Sequence, residues 1–178
     1  MRYQCYGIDL ERLEAKHLEM VRQWRNHDSV RLRMRYRQEI TPEMQTTWFR
    51  KLSSQNDWYF VATSKDLPFG LFHVKEIDWE KKGGEAGGFV GYPALIGELE
   101  TGLAILALMD FAFFNLQLAF LEAKYYSGYE EIVRLNQQLG YEIFAAAPDG
   151  FVRARVSTDH YLQATEKLRK AAARLGGG

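Results

Sequence analysis

The sequence predicts a mixed α/β protein: one sheet of seven mostly antiparallel strands with helices on both faces. Three observations carry that expectation. Residues 57–92 hold three β-rich runs joined by short turns, the pattern of an antiparallel meander. An apolar helix follows at about 99–115, hydrophobic nearly all round, so it needs cover on more than one side. Strand, helix and two more strands then alternate before a closing helix, which places helices and strands around one core.

Each element has its own signal. Residues 3–10 form a first strand. Residues 14–26 read as a helix, with Leu18, Val21 and Trp24 at helical spacing. Asp28 caps a short second helix carrying Val30 and Met34. Thr41-Pro42-Glu43 starts a third, with a capping hydroxyl, a first-turn proline and an acid, and Met44, Trp48 and Leu52 share its face. WYFVAT from Trp58 is a strand, KDLP a turn, and FGLFHVKEIDW the second strand. Lys81 to Gly84 turns the chain into a third strand, EAGGFVGYP. The long helix is interrupted by Asp110 and Asn115 and is too short to cross a bilayer. Residues 118–126 are a strand, 129–138 a helix and 141–147 a strand, and Pro148-Asp149-Gly150 turns into the last strand. There Val152, Ala154 and Val156 alternate with Arg153 and Arg155. The closing helix runs from about Asp159 to Arg174, with a stripe of Tyr161, Ala164, Leu168 and Leu175. Residues 1–175 therefore read as one domain and Gly176–Gly178 as a loose end.

Composition narrows the function. A chain of 178 residues is long enough for a real core. Its zero formal net charge argues against a broad nucleic-acid or membrane surface. The single Cys5 excludes an internal disulfide and a cysteine-built zinc cluster, and no histidine pair has metal-ligand spacing. The start, MRYQCYGIDLERL, is too charged for a signal peptide, so a cytoplasmic protein without a metal is expected. The loop at 96–102 opens the buried helix and gathers unpaired N–H groups, which favour an anion. Glu98 and Glu100 oppose it: at ~6 Å and an effective dielectric near 20, each carboxylate–phosphate repulsion costs roughly 3 kcal/mol before salt screening, against about 1 kcal/mol of helix-end attraction. An anion is therefore seated only if both acids point outward.

Several segments recur in a telling order: Trp24-Arg25-Asn26, Val30-Arg31 with Met34, Ile40, Trp48-Phe49, Ile77-Asp78, AGGFVGYP, and the helix end LNQQLGY. In that order the chain resembles the GNAT superfamily of N-acetyltransferases over about residues 8–158. The nearer likeness is to members that acetylate amino sugars on nucleotides in surface-glycan synthesis, and ribosomal-protein N-terminal acetyltransferases are close cousins. The resemblance implies acetyl-CoA held where strands 85–91 and 118–126 splay apart, gripped by backbone groups of Phe89, Val90 and Gly91. It implies a pyrophosphate at Gly97, Glu98, Thr101 and Gly102. Only Gly97 matches the family's loop in register, and Gly102 falls one residue late.

The resemblance also assigns chemistry. Glu85, at the head of the third strand, takes the amine proton, often through water; Asp78 and Glu76 are alternatives and could instead orient a sugar hydroxyl. Asn136 stands where many members have the tyrosine that protonates departing CoA, and it cannot donate a full proton. Tyr129 replaces the asparagine usual at the start of that helix. Asn136 and Tyr129 are carried as catalytic candidates and Asn136 also as a cofactor contact, with Tyr125, Tyr126 and Tyr141 as possible substitutes. Gln45 stands where sugar-acetylating members often have histidine. Trp24, Arg25 and Asn26 form an acceptor wall or, alternatively, an aromatic anchor with Asn26 ending the helix. Met34, Arg35, Tyr36, Asp78 and Trp79 complete the acceptor pocket. The arginines at 31, 33, 35 and 37 grip a nucleotide diphosphate or form a solvated face. His73 is expected to be tucked in and hydrogen-bonded.

The expected reaction is direct transfer from acetyl-CoA to the amino group of a nucleotide-linked sugar. The rivals are a degenerate acetyltransferase fold that binds without catalysis, a protein N-terminal acetyltransferase, and a different acyl-thioester donor. A homodimer through edge strands or the last helix is a further expectation from the resemblance.

Overall fold

The computed structural model describes residues 1–175; the loose end expected at Gly176–Gly178 lies outside the described residues. Where one N-terminal strand is expected, the chain forms a hairpin: β1 (Arg2–Cys5) and β2 (Ile8–Arg12) pair antiparallel. The two loop residues, Tyr6 and Gly7, both have positive φ, 57° and 74°, which matches the twist of a two-residue hairpin. Tyr6 tolerates this conformation because its hydroxyl bonds Asp110 at 2.5 Å.

A 3₁₀ turn at Ala15–His17 leads into α1 (Leu18–Asn26), and α2 is short (Asp28–Arg31). His27, not Asp28, caps α2, and Met34 lies beyond its end. α3 (Pro42–Lys51) starts as expected, with Thr41 Oγ1 accepting the Met44 N–H at 3.2 Å. The meander follows as β3 (Trp58–Ser64), β4 (Leu67–Asp78) and β5 (Gly83–Val90). The first turn is tighter than KDLP suggests: Lys65 and Asp66 both take positive φ, and Leu67-Pro68 already belong to β4. Gly83 and Gly84 are strand rather than turn, paired with Phe120 and Leu121, and a Cβ on Gly83 would come within 2.0 Å of the Phe120 ring.

The apolar helix divides into α4 (Leu99–Asp110) and a π-turn (Phe111–Asn115). Then come β6 (Phe120–Tyr126), α5 (Glu130–Gln138), β7 (Glu142–Ala146), β8 (Phe151–Ser157) and α6 (Thr158–Leu175). The stripe of α6 differs from expectation: Tyr161, Thr165 and Ala172 are buried, while Leu168 and Leu175 face outward. A polar requirement sets that rotation. Asp110, only 3% exposed, accepts from Tyr161 at 2.8 Å and pairs with Arg169 Nε at 2.9 Å.

The sheet has eight strands, one more than expected because of the hairpin, in the order β1-β2-β3-β4-β5-β6-β8-β7. Only β5–β6 is parallel. One core lies between the sheet and α4, α5 and α6, built on residues such as Phe60, Phe69, Phe111 and Tyr161. A smaller core under α1 and α3 covers the opposite face, around Val21, Trp24, Tyr59 and Leu71. The expected α+β layering, with helices on both faces, is borne out. No described helix is long and apolar enough to cross a membrane.

Candidate active site

The parallel pair at the centre of the sheet is short. Gly83, Gly84 and Glu85 face Phe120, Leu121 and Glu122, and no pairing continues beyond them. β5 nevertheless runs on to Val90 along β4, and β6 to Tyr126 along β8. The two strands therefore part, as the sequence suggested.

Register decides which backbone groups face the gap. Gly91 N–H donates to Phe69 O at 2.7 Å, so Gly91, Phe89 and Gly87 spend their backbone groups on β4. By the same alternation Gly88 and Val90 point theirs toward β6. Ser127 N–H donates to Gly150 O, which turns the backbone of Lys124 and Tyr126 toward β5. Of the expected trio only Val90 offers main-chain groups to the gap, and Gly88 replaces its two neighbours. Gly91 has a packing role: a Cβ there would meet the Trp24 ring at 2.3 Å.

The loop after β5 brings α4 to the gap. Gly97 has φ +83°, and a Cβ on either Gly97 or Gly102 would meet nothing within 4 Å. Glu98 occupies the cap position without a side-chain cap bond, which leaves the Leu99, Glu100 and Thr101 amides without an intramolecular acceptor among the described residues. The Thr101 hydroxyl proton is committed, since it is donated to Leu95 O at 2.5 Å, and only the amide of that residue is left for a ligand. Glu98 is exposed and Glu100 half-buried.

Where the strands close, the sheet face opposite α4 carries a cleft of about 390 Å³. Glu85 lies in its floor between Lys124 Nζ at 2.5 Å and Lys75 Nζ at 3.1 Å. Burial works against its charge, but the Lys124 bond and the Lys75 charge outweigh it and hold the carboxyl below its ordinary range. In the next strand Glu122 is gripped by Arg155 and Arg153 at 2.5 and 2.6 Å, with the same outcome. Asp78 sits at the rim, paired with Lys81 at 2.7 Å, and Glu76 also lines the cleft. Trp79 donates its indole N–H to Asn56 Oδ1 and lies outside the lining.

His73 shares this face of the sheet, opposite Gly87. Contrary to expectation it has no hydrogen-bond partner among the described residues. Its ring lies 4.9 Å from Tyr59, and burial, helped by the Lys75 charge, pushes its pKa down to about 4. It is a neutral imidazole at physiological pH.

Other expected site residues serve the fold. Trp24 is 7% exposed and packs in the smaller core, with Tyr92 edge-on at 6.0 Å. Asn26 clamps the backbone of Ile40 with both ends of its amide, at 2.8 and 2.9 Å. These two are anchors rather than acceptor contacts. Gln45 is buried. Arg25 donates to Tyr36 O at 2.8 Å and keeps a second, buried nitrogen without a partner. The arginine run is spent on the protein itself: Arg31 pairs with Asp28, Arg33 with Glu131 and Arg35 with Asp149. Met34 is half-buried and Tyr36 exposed in the same segment.

Asn136 donates its amide to Ile132 O within its own helix, at 2.8 Å. Tyr129 sits at the start of α5, edge-on to Tyr126 at 5.3 Å and under Arg33. Of the substitute tyrosines, Tyr125 and Tyr141 are buried on the α4 side, and only Tyr126 is exposed. Sequence reasoning missed Lys75, Glu122, Lys124, Arg153 and Arg155 as a group. The alternation in LEAKYY and FVRARVS marked each strand's polar face, but not which strands lie side by side.

No protein-family model matches the sequence, and no curated protein sequence does either. The structure, however, is similar to solved ones. It superposes on spermidine N-acetyltransferase from Vibrio cholerae, in complex with CoA and spermine, with a TM-score of 0.78 at 16% identity, covering 88% of this chain and 98% of that one. A dodecameric form of the same Vibrio cholerae enzyme gives 0.71 at 16% identity, covering 88% and 96%. A putative acetyltransferase gives 0.72 at 19% identity, covering 94% and 91%. The chain shares the fold of these acetyltransferases.

Proposed function

We propose that this protein is an N-acetyltransferase that takes its acetyl group from acetyl-CoA and passes it to a small amine. One observation carries the reading: β5 and β6 part after three residue pairs and leave main-chain groups of Gly88, Val90, Lys124 and Tyr126 facing a gap. Backbone groups left without a partner call for one, and the amide-bearing arm of CoA supplies it as an added strand would. The free amides at the head of α4 favour the pyrophosphate beyond it. Spermidine N-acetyltransferase from Vibrio cholerae, which has a similar fold, is solved in complex with CoA, and this supports acetyl-CoA as the donor.

In the reaction the neutral amine nitrogen attacks the thioester carbonyl carbon. The carbon–sulfur bond then breaks, and the thiolate takes a proton. Each ammonium consumed releases one proton to solvent. Glu85 is engaged by two lysines, so the amine proton reaches it through water rather than from an ammonium seated directly against it. Asn136 is not a proton donor, and Tyr126 is the exposed tyrosine next to the gap. The amino group of a nucleotide-linked sugar is the acceptor proposed from the sequence; the structural relatives add polyamines as a class to test. Assembly into a homo-oligomer is part of the proposal, as in the dodecameric relative.

The test is calorimetric titration of the purified chain with acetyl-CoA, followed by thiol release with amine acceptors. Saturable binding and turnover are expected. Binding without turnover on any amine class would favour the non-catalytic reading, to which the committed amide of Asn136 already lends weight. No binding at millimolar acetyl-CoA would sink the acetyltransferase reading.

A further inference from the structure

We propose, building on the N-acetyltransferase reading, that the acceptor carries an anionic group as well as its amine, and that Arg153 and Arg155 bind that group. The sheet register sets out the two halves of such a site. Lys75 faces Glu85, Glu85 faces Glu122, and Glu122 faces Arg155, in one row across four strands. Neighbouring strands are about 4.8 Å apart, so Glu85 and Arg155 stand roughly 10 Å apart along the row. That distance matches a compact molecule with an amine at one end and an anion at the other.

The donor inventory points the same way. A guanidinium has five N–H groups. Arg155 spends Nε and one terminal nitrogen on Glu122, and Arg153 spends one terminal nitrogen. The remaining donors are free, and both side chains are about half exposed, 50% and 51%. Both guanidiniums also lie 5.1 Å from the Phe144 ring, which holds them from a second side. Two fixed guanidiniums with spare N–H groups suit the paired oxygens of a phosphate or carboxylate.

A polyamine fits poorly. It needs unneutralised carboxylates, whereas each floor carboxylate here already has two cations against it: Lys75 and Lys124 on Glu85, Arg153 and Arg155 on Glu122. None of the arginines of residues 31–37, expected to grip an anion, lines the cleft that holds Glu85, whereas Arg153 and Arg155 do. The anion site therefore moves to β8.

The experiment compares four acceptors with the full chain: glucosamine 6-phosphate, glucosamine, glutamate and spermidine. Acetyl-CoA binding is measured separately, so that loss of the cofactor reading is distinguished from loss of this one. The expected result is kcat/KM at least about tenfold higher for an anionic acceptor than for glucosamine, equivalent to about 1.4 kcal/mol. Glucosamine 6-phosphate and glutamate separate phosphate from carboxylate. In Arg153→Gln and Arg155→Gln that preference collapses, chiefly through KM, and Arg155→Lys restores part of it. Titration with inorganic phosphate in saturating CoA, which occupies the head of α4, followed by calorimetry, gives a readout independent of turnover: saturable binding in the parent, lost in both Gln variants. Preference for spermidine, a selectivity unmoved by either Gln variant, or no saturable phosphate binding overturns the proposal.

Discussion

At the scale of single residues, the most consequential side chain outside the cleft is Asp110. It is buried at the end of α4 and joins two distant parts of the chain: Tyr6 in the first hairpin, and Tyr161 and Arg169 in α6. Replacing it with alanine leaves a partly buried guanidinium and two hydroxyls without their acceptor. Asp110→Ala is expected to lose roughly 3–5 kcal/mol in urea denaturation. His73 yields a pH prediction. Its folded pKa is lowered, so the unfolded chain binds more protons between about 4 and its ordinary value near 6.5. Its contribution to stability is full above that window and falls as pH drops through it. In His73→Asn the acid limb between those pH values flattens by roughly 3 kcal/mol, read as the change in unfolding free energy from pH 7 to pH 4. Glu85 and Glu122, both lowered by their cations, act in the same direction at lower pH, each losing its contribution as its carboxyl is protonated.

At the scale of elements, two glycines divide strain from space. Gly97 has positive φ with open room for a Cβ. Gly97→Ala therefore measures backbone strain alone, about 1–2 kcal/mol. If the head of α4 seats a pyrophosphate, acetyl-CoA affinity falls with it, which calorimetry would detect. Gly83 is the opposite case, since a side chain there collides with Phe120 at the only parallel pairing. Gly83→Val is expected to lower stability by roughly 1–3 kcal/mol and to blunt acetyl transfer, because the closed end of the gap is displaced. Thr41 caps α3 as its sequence announces. Thr41→Ala should cost about 1 kcal/mol by denaturation and leave the gap unchanged.

At the scale of the whole molecule, the segment from Arg31 to Arg37 links the two sides of the parted sheet. It leaves α2, which packs with α1 beside β5, and reaches Glu131 on α5 and Asp149 in the β7–β8 turn. Arg35 also lies 5.2 Å from the Phe151 ring. The side chains of these pairs are 44–72% exposed, so each contributes little. Arg35→Ala is expected to change unfolding free energy by less than about 1 kcal/mol, and a larger loss would show that the link carries part of the fold.

The parted central strands were legible only through the family resemblance; the sequence by itself determined the layers and the order of elements. Those follow from periodicity and turn chemistry, which act over a few residues, as at Thr41-Pro42 and in the alternation of Val152 to Val156. It also singled out Glu85 and the amide-rich head of α4. The first hairpin was legible only in part, because Tyr6 takes a conformation more usual for glycine and is held there by Asp110, a hundred residues away. What only the tertiary structure decided is which charges meet. Lys75, Glu85, Glu122 and Arg155 lie on four different strands, and strand register alone brings them into one row. The same applies to Trp24 and Asn26, whose ring and amide look like binding groups until Gly91 and Ile40 are seen to occupy them. A side chain's chemistry is written locally, but its partner is chosen by contacts between distant segments.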